Sequence, residues 1–453
     1  MFEILRERLV ENADRIAVVS DGQEYSYSAL LDAVVEKEHE FRIANIGNGD
    51  IVVLIGEFSF ISVASLLALF FCKATVIPLT RDAYGKLGQF VQKLAPDYHV
   101  DTYVDDGVVR HKTFGTNDSD QEWRDILPDE TTGGVIVFTS GSTGFPKAIV
   151  HDIDSLCYRY VEKKEPLSAI CFLLFDHMGG INTVLFLLFR GGTAVNVTDR
   201  KVDIVCQAVQ KYGVQLLPTT PSFLSQLLML RAYATYDLSS LKVISYGTEV
   251  MSEAVLNKMN KVLPDCMFKQ TYGLSETGVL QIRSKYNDSL WFKIIDEGVE
   301  AKIVDNILWI KTKSNLLGKV LFGETGLTIE KKSNEWFCTN DLVETDGEYL
   351  KILGRQTDIV NVGGLKVYPS EVEDCIHELE FIDDVFVKGK KNPLLGQIVI
   401  AYILLDGSIE KAEAATLINK HCQKKLEKFK VPSQLIFKWE NFINDRFKKV
   451  RIP

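Results

Sequence analysis

The residue types best suited to phosphate chemistry stand in one short segment, Phe138-Thr139-Ser140-Gly141-Ser142-Thr143-Gly144-Phe145-Pro146-Lys147, which follows an apolar run. Glycines let main-chain N–H groups approach phosphate oxygens, hydroxyls add donors, and the lysine adds a mobile positive charge. The segment is not a Walker loop, because Pro146 precedes Lys147 and Ala148 follows it. A polar surface turn is the alternative interpretation. The complete string after an apolar strand favours phosphate binding.

Two later segments combine aromatic, acidic and glycine residues in fixed order. The first is Gln270-Thr271-Tyr272-Gly273-Leu274-Ser275-Glu276-Thr277. The second begins at Thr339-Asn340-Asp341 and continues through Gly354-Arg355 to Gly363-Gly364-Leu365-Lys366. Neither segment alone is a strong indication of a functional site. The first also fits a turn with a helix cap, and Asp341 in the second also fits a solvated turn. Their order behind the glycine-rich segment makes them informative.

Taken together, these segments resemble the motifs of the acyl-adenylate-forming superfamily, which contains acyl- and aryl-CoA synthetases, peptide-synthetase adenylation domains and luciferases. The resemblance covers essentially the whole chain and is closest in pattern to the acid–CoA ligases. Ser275 replaces the usual threonine and keeps its hydroxyl, whereas Asn340 replaces the usual glycine. The resemblance implies an enzyme that uses ATP and Mg²⁺ to convert a small carboxylic acid into its acyl-AMP. The acyl group would then pass to the thiol of CoA or of a carrier-protein phosphopantetheine.

The resemblance also implies which residues hold the nucleotide. The Thr139–Lys147 loop would grip the β- and γ-phosphates, Tyr272 would stack on adenine, and Asp341 would accept from both ribose hydroxyls. Ser275 would contact the α-phosphate and the acyl carboxylate. Glu276 would hold Mg²⁺, because a hard cation that bridges phosphates takes a carboxylate oxygen. The complete implied ATP set is Thr139, Ser140, Gly141, Ser142, Thr143, Gly144, Lys147, Gly247, Thr248, Glu249, Tyr272, Ser275, Asp341 and Arg355.

The end of the chain resembles the family's segment that carries the catalytic lysine. Lys449 aligns with that lysine, whose charge would offset charge that develops during adenylation. Lys448 replaces the usual glycine and Asp445 the usual threonine. These departures leave two alternatives open, that Lys448 acts instead or that the site is impaired. A solvated basic tail is the non-functional interpretation.

The acid-binding residues are implied by the segment around Phe175-Asp176-His177-Met178-Gly179-Gly180. Two registers compete here. Peptide-synthetase domains place an aspartate after the phenylalanine to bind an amino group, whereas acid–CoA ligases place a histidine before glycines. The spacing to Gly191-Gly192 favours the ligase register, and therefore a non-amino acid. The implied acid-binding residues are His177, Gly179, Gly180 and Gly273, although His177 is also readable as a buried structural histidine.

Apolar strands alternate with helical segments through the first two thirds of the chain, which predicts an α/β fold of largely parallel sheets covered by helices. Short strands follow from Ile307, so the large domain should also contain a small β-barrel-like part. We expect a large ATP- and acid-binding domain over residues 1–353, a hinge over 354–357 that includes Thr357, and a small mobile α+β domain over 358–453. By resemblance, Gly363, Gly364 and Lys366 would face the site in the second step. Ser370 and Glu373 predict a helix capping box.

Composition limits the remaining classes of function. The formal net charge of the 453-residue chain is −10, which argues against nucleic acid or an anionic membrane as the main partner. Its eight cysteines form no CxxC pair, as in a cytoplasmic protein with reduced thiols. The most apolar stretches, 51–79 and 169–189, are interrupted by polar or charged residues, so neither predicts a membrane span.

Three hypotheses for function remain at this point. The first is an acid–CoA ligase or an acyl-carrier-protein synthetase. The second is an amino-acid adenylation enzyme that loads a carrier protein. The third is a degenerate relative that binds nucleotide without catalysis, which the departures at Asn340, Asp445 and Lys448 suggest.

Overall fold

The computed structural model describes residues 1–104, 109–110, 122–128, 132–140, 145–197, 199–312, 316–324, 326–331 and 336–438. Its α-helices, numbered in chain order, are α1 (Phe2–Glu11), α2 (Tyr27–Ile43), α3 (Phe60–Phe71), α4 (Arg81–Lys93), α5 (Ile153–Cys157), α6 (Met178–Phe189), α7 (Val202–Tyr212), α8 (Pro221–Met229), α9 (Ala232–Thr235), α10 (Glu253–Val262), α11 (Pro369–His377) and α12 (Lys411–Lys425).

The strands before residue 271 are β1 (Ile16–Ser20), β2 (Gln23–Ser26), β3 (Ile51–Ile55), β4 (Thr75–Leu79), β5 (Tyr98–Asp101), β6 (Val109–Arg110), β7 (Gly134–Ser140), β8 (Pro146–Asp152), β9 (Ser168–Ile170), β10 (Thr193–Val195), β11 (Leu216–Thr219), β12 (Val243–Tyr246) and β13 (Met267–Gln270). The strands after it are β14 (Gly273–Leu274), β15 (Gly278–Val279), β16 (Ile282–Ser284), β17 (Phe292–Ile294), β18 (Val299–Val304), β19 (Ile307–Thr312), β20 (Leu316–Phe322), β21 (Leu327–Lys331), β22 (Phe337–Asp346), β23 (Tyr349–Arg355), β24 (Val360–Val362), β25 (Leu365–Val367), β26 (Ile382–Asn392), β27 (Gly396–Leu405) and β28 (Gln434–Phe437).

Two large sheets form the body of the protein. Within the described residues, one has the order β13-β12-β11-β9-β10-β1-β2 and the other the order β21-β20-β8-β7-β4-β3-β5-β6. The run from β13 to β1 is parallel throughout, as is the run from β7 to β5. Parallel strands of this kind are covered on both faces, which explains why β3 and β4 are buried at every position.

The largest apolar cluster joins the two sheets through α3 and α6. Ser59 begins α3 by accepting a hydrogen bond from the main-chain N–H of Ser62 at 3.2 Å. Every side chain of α3 from Ser62 to Phe70 is buried, so this helix is apolar on all sides because it packs against both sheets. The scaffold under the strand ends is therefore rigid.

A third, antiparallel sheet has the order β16-β17-β23-β22-β19-β18 and its own apolar cluster, which includes Tyr272 and Phe292. After a 3₁₀ turn over Gln356–Asp358, the chain forms a separate small sheet of order β25-β24-β27-β26, with β28 parallel to β27. Its strands pack with α11 and α12 around a distinct apolar cluster. The α/β class predicted from the sequence is confirmed.

The predicted capping box at Ser370 is wrong. Helix α11 starts two residues earlier than a Ser370 N-cap would place it, with Tyr368 as its N-cap and Pro369 at the first helical position. The Ser370 hydroxyl donates instead to the Leu353 carbonyl at 2.5 Å, and Glu373 accepts from the Val387 main-chain N–H at 2.8 Å. Proline fixes the start of the helix, so Ser370 already lies inside it.

The membrane-span prediction can be compared with the helices themselves. In the part of the chain that the structure describes, no helix combines the length and apolar character needed to cross a membrane.

Candidate active site

A cavity of about 290 Å³ lies beside α11, where β12, β13 and β23 end and where Asp341 stands in the middle of β22. Five residues predicted to bind nucleotide line it, together with one predicted to bind the acid. These residues are Thr248, Glu249, Tyr272, Asp341, Arg355 and Gly273. The structure thus brings together side chains from three sequence segments that were singled out separately.

The centre of this cavity is organised around the carboxylate of Asp341. The Tyr272 hydroxyl donates to Asp341 Oδ2 at 2.7 Å, and Arg355 Nε lies 3.3 Å from Asp341 Oδ1. Asp341 and Arg355 are paired across the antiparallel strands β22 and β23. Tyr272 and Arg355 therefore each contact one of the two carboxylate oxygens and orient Asp341.

Burial shifts the pKa values of Asp341 and Tyr272, the two partners of this hydrogen bond. It raises the pKa of the Asp341 carboxyl, against the opposing effects of the Tyr272 hydrogen bond and the Arg355 charge. Burial likewise raises the pKa of Tyr272, and the neighbouring Asp341 charge adds to that rise. Tyr272 therefore stays a neutral donor.

The backbone next to Asp341 explains a departure in the sequence motif. Asn340 has a φ of +58°, in the left-handed region that favours glycine. Asparagine tolerates this region better than other side chains, because its short amide forms local hydrogen bonds. The replacement of glycine by Asn340 therefore preserves the local backbone conformation of β22 next to Asp341.

Thr248 also has a left-handed backbone, with a φ of +70°. A β-branched residue in this region is strained by about 1–3 kcal/mol. The next residue, Glu249, stabilises the segment, because its Oε2 accepts from the Ser222 hydroxyl at 2.7 Å and from the Ser222 main-chain N–H at 3.2 Å. Ser222 lies in the first turn of α8, where a carboxylate is favoured by the helix dipole.

Gly247 has no room for a side chain. A Cβ added there would lie 2.2 Å from Thr271 Oγ1. Gly247, one of the residues predicted to bind nucleotide, therefore packs directly on Thr271, the residue before Tyr272.

The phosphate segment is described only at its two ends. Thr139 and Lys147 are paired across the β7–β8 hairpin, and Ser140 is the last residue of β7. Gly141, Ser142, Thr143 and Gly144 lie outside the described residues.

Ser275 and Glu276 are half-buried and directly follow Leu274, which lines the cavity. Their loop is shaped by Thr277, whose hydroxyl accepts from the Leu274 N–H at 3.1 Å and donates to the Gly278 carbonyl at 3.1 Å.

The predicted acid-binding histidine begins a helix and does not line the cavity. His177 is the N-cap of α6, and its Nδ1 accepts from the Gly179 main-chain N–H at 3.0 Å. A Cβ at Gly180 would lie 2.2 Å from the Leu174 carbonyl oxygen, so this turn requires glycine. Gly273 does line the cavity, and a Cβ there would lie 2.2 Å from the Gly278 carbonyl oxygen.

Asp176 belongs to a buried charge cluster. Its charge raises the pKa of the Glu57 carboxyl, which burial raises further and the Arg200 guanidinium lowers. Arg200 Nη2 lies 3.7 Å from Glu57 Oε2, and the Arg200 Nε–H donates to the Phe172 carbonyl at 2.5 Å. Asp176 is 4% exposed and does not line the described cavity.

The residues predicted for the second step lie away from the cavity. Thr357 falls in the 3₁₀ turn, and Gly363 and Gly364 form the β24–β25 turn with φ values of +58° and +89°. The Gly363 N–H donates to the Leu395 carbonyl at 2.8 Å, and Lys366 is exposed. Lys449, together with Lys448 and Asp445, lies outside the described residues.

The donor set can be compared with the needs of Mg²⁺. Within the described residues, no group of three or more His, Cys, Asp or Glu side chains could hold a metal ion. Mg²⁺ commonly binds through one or two carboxylates plus substrate phosphates, so a single half-buried carboxylate such as Glu276 fits that pattern.

Two groups of lining residues were not predicted as part of the site. Ser222 anchors Glu249, and the Thr220-Pro221-Ser222 helix start is the sequence signal that could have indicated it. The face of α11 also lines the cavity, through Pro369, Ser370, Glu373, Asp374 and His377. No periodicity in the sequence indicates that α11 meets the large domain at this point.

Comparison with known families and proteins gives consistent results. Residues 5–308 match the family model described as AMP-binding enzyme, and residues 371–442 match the one described as AMP-binding enzyme C-terminal domain. A 2-succinylbenzoate–CoA ligase of Listeria monocytogenes is 23% identical over 458 residues, which span 95% of this chain and 94% of the relative. A 4-coumarate–CoA ligase of Narcissus pseudonarcissus is 24% identical over 347 residues, covering 69% of this chain and 62% of the relative.

Solved structures share the fold. An anthranilate CoA ligase in complex with anthranoyl-AMP superposes with a TM-score of 0.76 at 17% identity, covering 99% of this chain and 95% of the other. An o-succinylbenzoate CoA synthetase of Bacillus subtilis, in complex with its acyl-adenylate intermediate, gives a TM-score of 0.72 at 16% identity, with 99% and 96% of the two chains covered.

Proposed function

The chain belongs to the AMP-binding enzyme family, and on that premise we propose that it is an ATP-dependent acid–CoA ligase. In the first step, a carboxylate oxygen attacks the α-phosphate of ATP, the acyl–phosphate bond forms, and pyrophosphate leaves. In the second step, the thiol of CoA attacks the acyl carbonyl and AMP leaves. The observation that carries the proposal is the Asp341 carboxylate, fixed by Tyr272 and Arg355 within the cavity.

The adenosine half of ATP is proposed to bind in this cavity. Asp341 accepts from the two ribose hydroxyls, as an acceptor-only group suits two donors. The Tyr272 ring stacks on adenine, and the strained turn at Thr248 and Glu249 lines the edge of the base. Arg355, which is 56% exposed at its side chain, remains accessible for contact with the nucleotide.

The phosphates are proposed to lie along the segment from Thr139 to Lys147. Lys147 supplies a positive charge there, and Ser275 contacts the α-phosphate and the acyl carboxylate. Glu276 would hold Mg²⁺, which neutralises phosphate charge when bound. Because the acid itself is the nucleophile, the protein contributes positioning and charge stabilisation, and Lys449 supplies the mobile charge for the transition state.

The second step is proposed to use a different orientation of the small domain. Residues 354–357 would act as the hinge between a large domain over 1–353 and a small domain over 358–453. Rotation there would remove Lys449 and bring Gly363, Gly364 and Lys366 toward the acyl-AMP. CoA is the acceptor named for the relatives, and an acyl-carrier-protein phosphopantetheine is the second candidate acceptor.

The acid is proposed to be a small carboxylic acid without an α-amino group. The spacing from His177 to Gly191-Gly192 supports the ligase register over the amino-acid register, as do the CoA ligases among the relatives. His177, Gly179, Gly180 and Gly273 would surround the acyl group. Succinylbenzoate and anthranilate, which the relatives' names carry, are the first acids to test.

The test is a turnover assay with ATP, Mg²⁺ and CoA across aryl, fatty, dicarboxylic and amino acids. We expect AMP and an acyl-CoA, identified by mass spectrometry, from one class of non-amino acid. Turnover with amino acids alone would support the amino-acid adenylation enzyme. ATP binding without turnover of any acid would support the degenerate relative.

A further inference from the structure

The antiparallel sheet that carries Asp341 ends at an exposed edge strand. Strand β18 is last in the order β16-β17-β23-β22-β19-β18, and among the described residues its strand partner is β19. Val299 is half-buried, and the five residues from Glu300 to Val304 are exposed. Because an edge strand presents main-chain N–H and C=O groups without a partner strand, it can pair with a strand of another chain.

One face of β18 continues the apolar face of the sheet. Side chains alternate along a strand, so Val299, Ala301 and Ile303 point to the same side. On β19, Ile310 lies opposite Ala301 and Leu308 lies opposite Ile303, and both are fully buried in the apolar cluster of this sheet. Ile303 is nevertheless 39% exposed. A further strand along this edge would extend the sheet and cover the apolar side chains of β18.

The charged side chains of β18 lie on the other face. Lys302 Nζ lies 4.3 Å from the ring centroid of Trp336 and 5.8 Å from that of Trp309. Glu300 Oε1 lies 3.6 Å from Lys311 Nζ on β19. Charged side chains often protect an edge strand from pairing. Here both are engaged along the face of their own sheet, so they leave the main-chain edge of β18 open.

The two charges also match each other across a two-fold axis. Opposed residues of antiparallel strands point to the same face, so two copies of β18 pair about a residue. Pairing about Ala301 places Glu300 opposite the partner's Lys302, and Val299 opposite the partner's Ile303. Pairing about Glu300 or about Lys302 would instead place like charges opposite each other, which is destabilising.

We propose that β18 is a self-association surface, at which two copies of this chain pair antiparallel about Ala301. The sheet that carries Asp341 then continues from one copy into the other, with two Glu300–Lys302 pairs on one face and apolar pairs on the other. The net charge of −10 on each copy opposes association at long range, so pairing depends on these short-range contacts. The inference is independent of the proposed function.

Exchange of the charges tests the pairing. Glu300→Lys and Lys302→Glu each place like charges opposite each other, whereas an equimolar mixture of the two variants restores opposite charges in the mixed dimer. Light scattering after size exclusion would measure mass over about a hundredfold range of concentration at about 0.15 M salt, where the Debye length is about 8 Å. Glu324→Lys, the same charge change at an exposed residue of the β20–β21 turn, is the control. Tm would be measured for every variant.

We expect the mass of the wild type and of Glu324→Lys to rise toward twice the monomer mass as concentration increases. Each variant of β18 alone should dimerise at least about tenfold more weakly, because two favourable cross-strand pairs become unfavourable. The equimolar mixture should recover dimerisation to within about threefold of the wild type. Recovery on mixing also separates a lost contact from a misfolded variant.

Cysteine substitutions test the register without a change of charge. Ala301→Cys would place the two Cα atoms about 4.5–5.5 Å apart across the axis, within the range of a disulfide. Ile303→Cys is the matched control, because four residues along the strand separate it from its copy by more than about 13 Å. Under mild oxidation, Ala301→Cys should form a linked dimer on a non-reducing gel at least about tenfold faster than Ile303→Cys or the wild type, whose described cysteines are buried or half-buried.

Three results would overturn the inference. The first is a wild type that stays monomeric at the highest concentration. The second is dimerisation of Glu300→Lys or Lys302→Glu at wild-type strength, or a mixture of the two folded variants that stays monomeric. The third is cross-linking of Ala301→Cys no faster than that of Ile303→Cys, and this comparison decides the matter alone if the charge variants fail to fold.

Discussion

At the scale of single residues, the site depends on side chains whose partners are already fixed. Asp341 has one oxygen on Tyr272 and the other near Arg355. Its neighbour Asn340 takes a left-handed backbone that most side chains would oppose. Asn340 therefore adopts the backbone conformation that the family's glycine would adopt. Its presence does not support the hypothesis that this chain binds nucleotide without catalysis.

Removal of the Tyr272 hydroxyl tests the orientation of Asp341. We expect Tyr272→Phe to weaken AMP binding about five- to tenfold, because one buried hydrogen bond contributes about 1–1.5 kcal/mol. The ring remains for stacking, so kcat should change little. Isothermal titration calorimetry with AMP measures the effect.

The matched control for that variant is Tyr246→Phe. Tyr246 is 1% exposed, and its hydroxyl has no hydrogen-bond partner within the described part of the chain. Its loss should leave AMP affinity unchanged. Equal affinities for the wild type and Tyr272→Phe would contradict the role given to this hydroxyl.

At the scale of elements, much of the fold was predictable because burial leaves a clear pattern. The continuous apolar runs of β3 and β4 and the buried helix α3 follow from the sequence, and the predicted family and reaction class are confirmed. The position of α11 was not predictable, because its polar residues face the cavity of another domain. Ser370 and Glu373 show the difficulty, since their spacing matches a capping box while their hydrogen bonds go to Leu353 and Val387.

Helix α11 also contacts the start of α10. Asp374 and Ser252 both line the cavity, and burial raises the pKa of the Asp374 carboxyl against the opposing effects of the Ser252 hydroxyl, the Lys351 charge and the Glu253 main-chain N–H. A carboxylate at a helix N-terminus is favoured by the helix dipole and by the unpaired N–H groups. Asp374 therefore links the small sheet to the large body in this orientation.

Loss of the Asp374 carboxylate should loosen this contact. We expect Asp374→Ala to increase the rate of limited proteolysis near residues 354–358 several-fold, because the link to α10 contributes about 0.5–2 kcal/mol. Glu380→Ala, an exposed change beyond the same helix, is the control and should leave the rate unchanged. Identical cleavage of all three proteins would argue against the link.

At the scale of the whole molecule, charge is distributed so that some carboxylates are costly to ionise. Burial raises the pKa of Asp383 to about 6, with Asp406 and Asp384 adding to the rise and Lys258 and Arg231 opposing it. The folded state therefore binds a proton at Asp383 more tightly than the unfolded chain does. Its contribution to stability is complete below the ordinary aspartate pKa near 4 and is lost as pH rises through about 6.

Substitution of this carboxyl should change stability in one pH range. We expect Asp383→Asn to raise Tm relative to the wild type at pH 8, where Asp383 is ionised in the folded state, and to have little effect at pH 4. Differential scanning fluorimetry at both values measures the difference. An equal shift at the two pH values would contradict the assigned titration.

The central claim is that this chain forms acyl-adenylates with Lys449 as the mobile cation. ATP–pyrophosphate exchange across the acid panel, with Lys449→Ala and Lys448→Ala in parallel, tests it most directly. The account predicts exchange with one class of non-amino acid, retained in Lys448→Ala and reduced by about 100-fold or more in Lys449→Ala. Full exchange in Lys449→Ala, or ATP binding by the wild type without exchange for any acid, would contradict it.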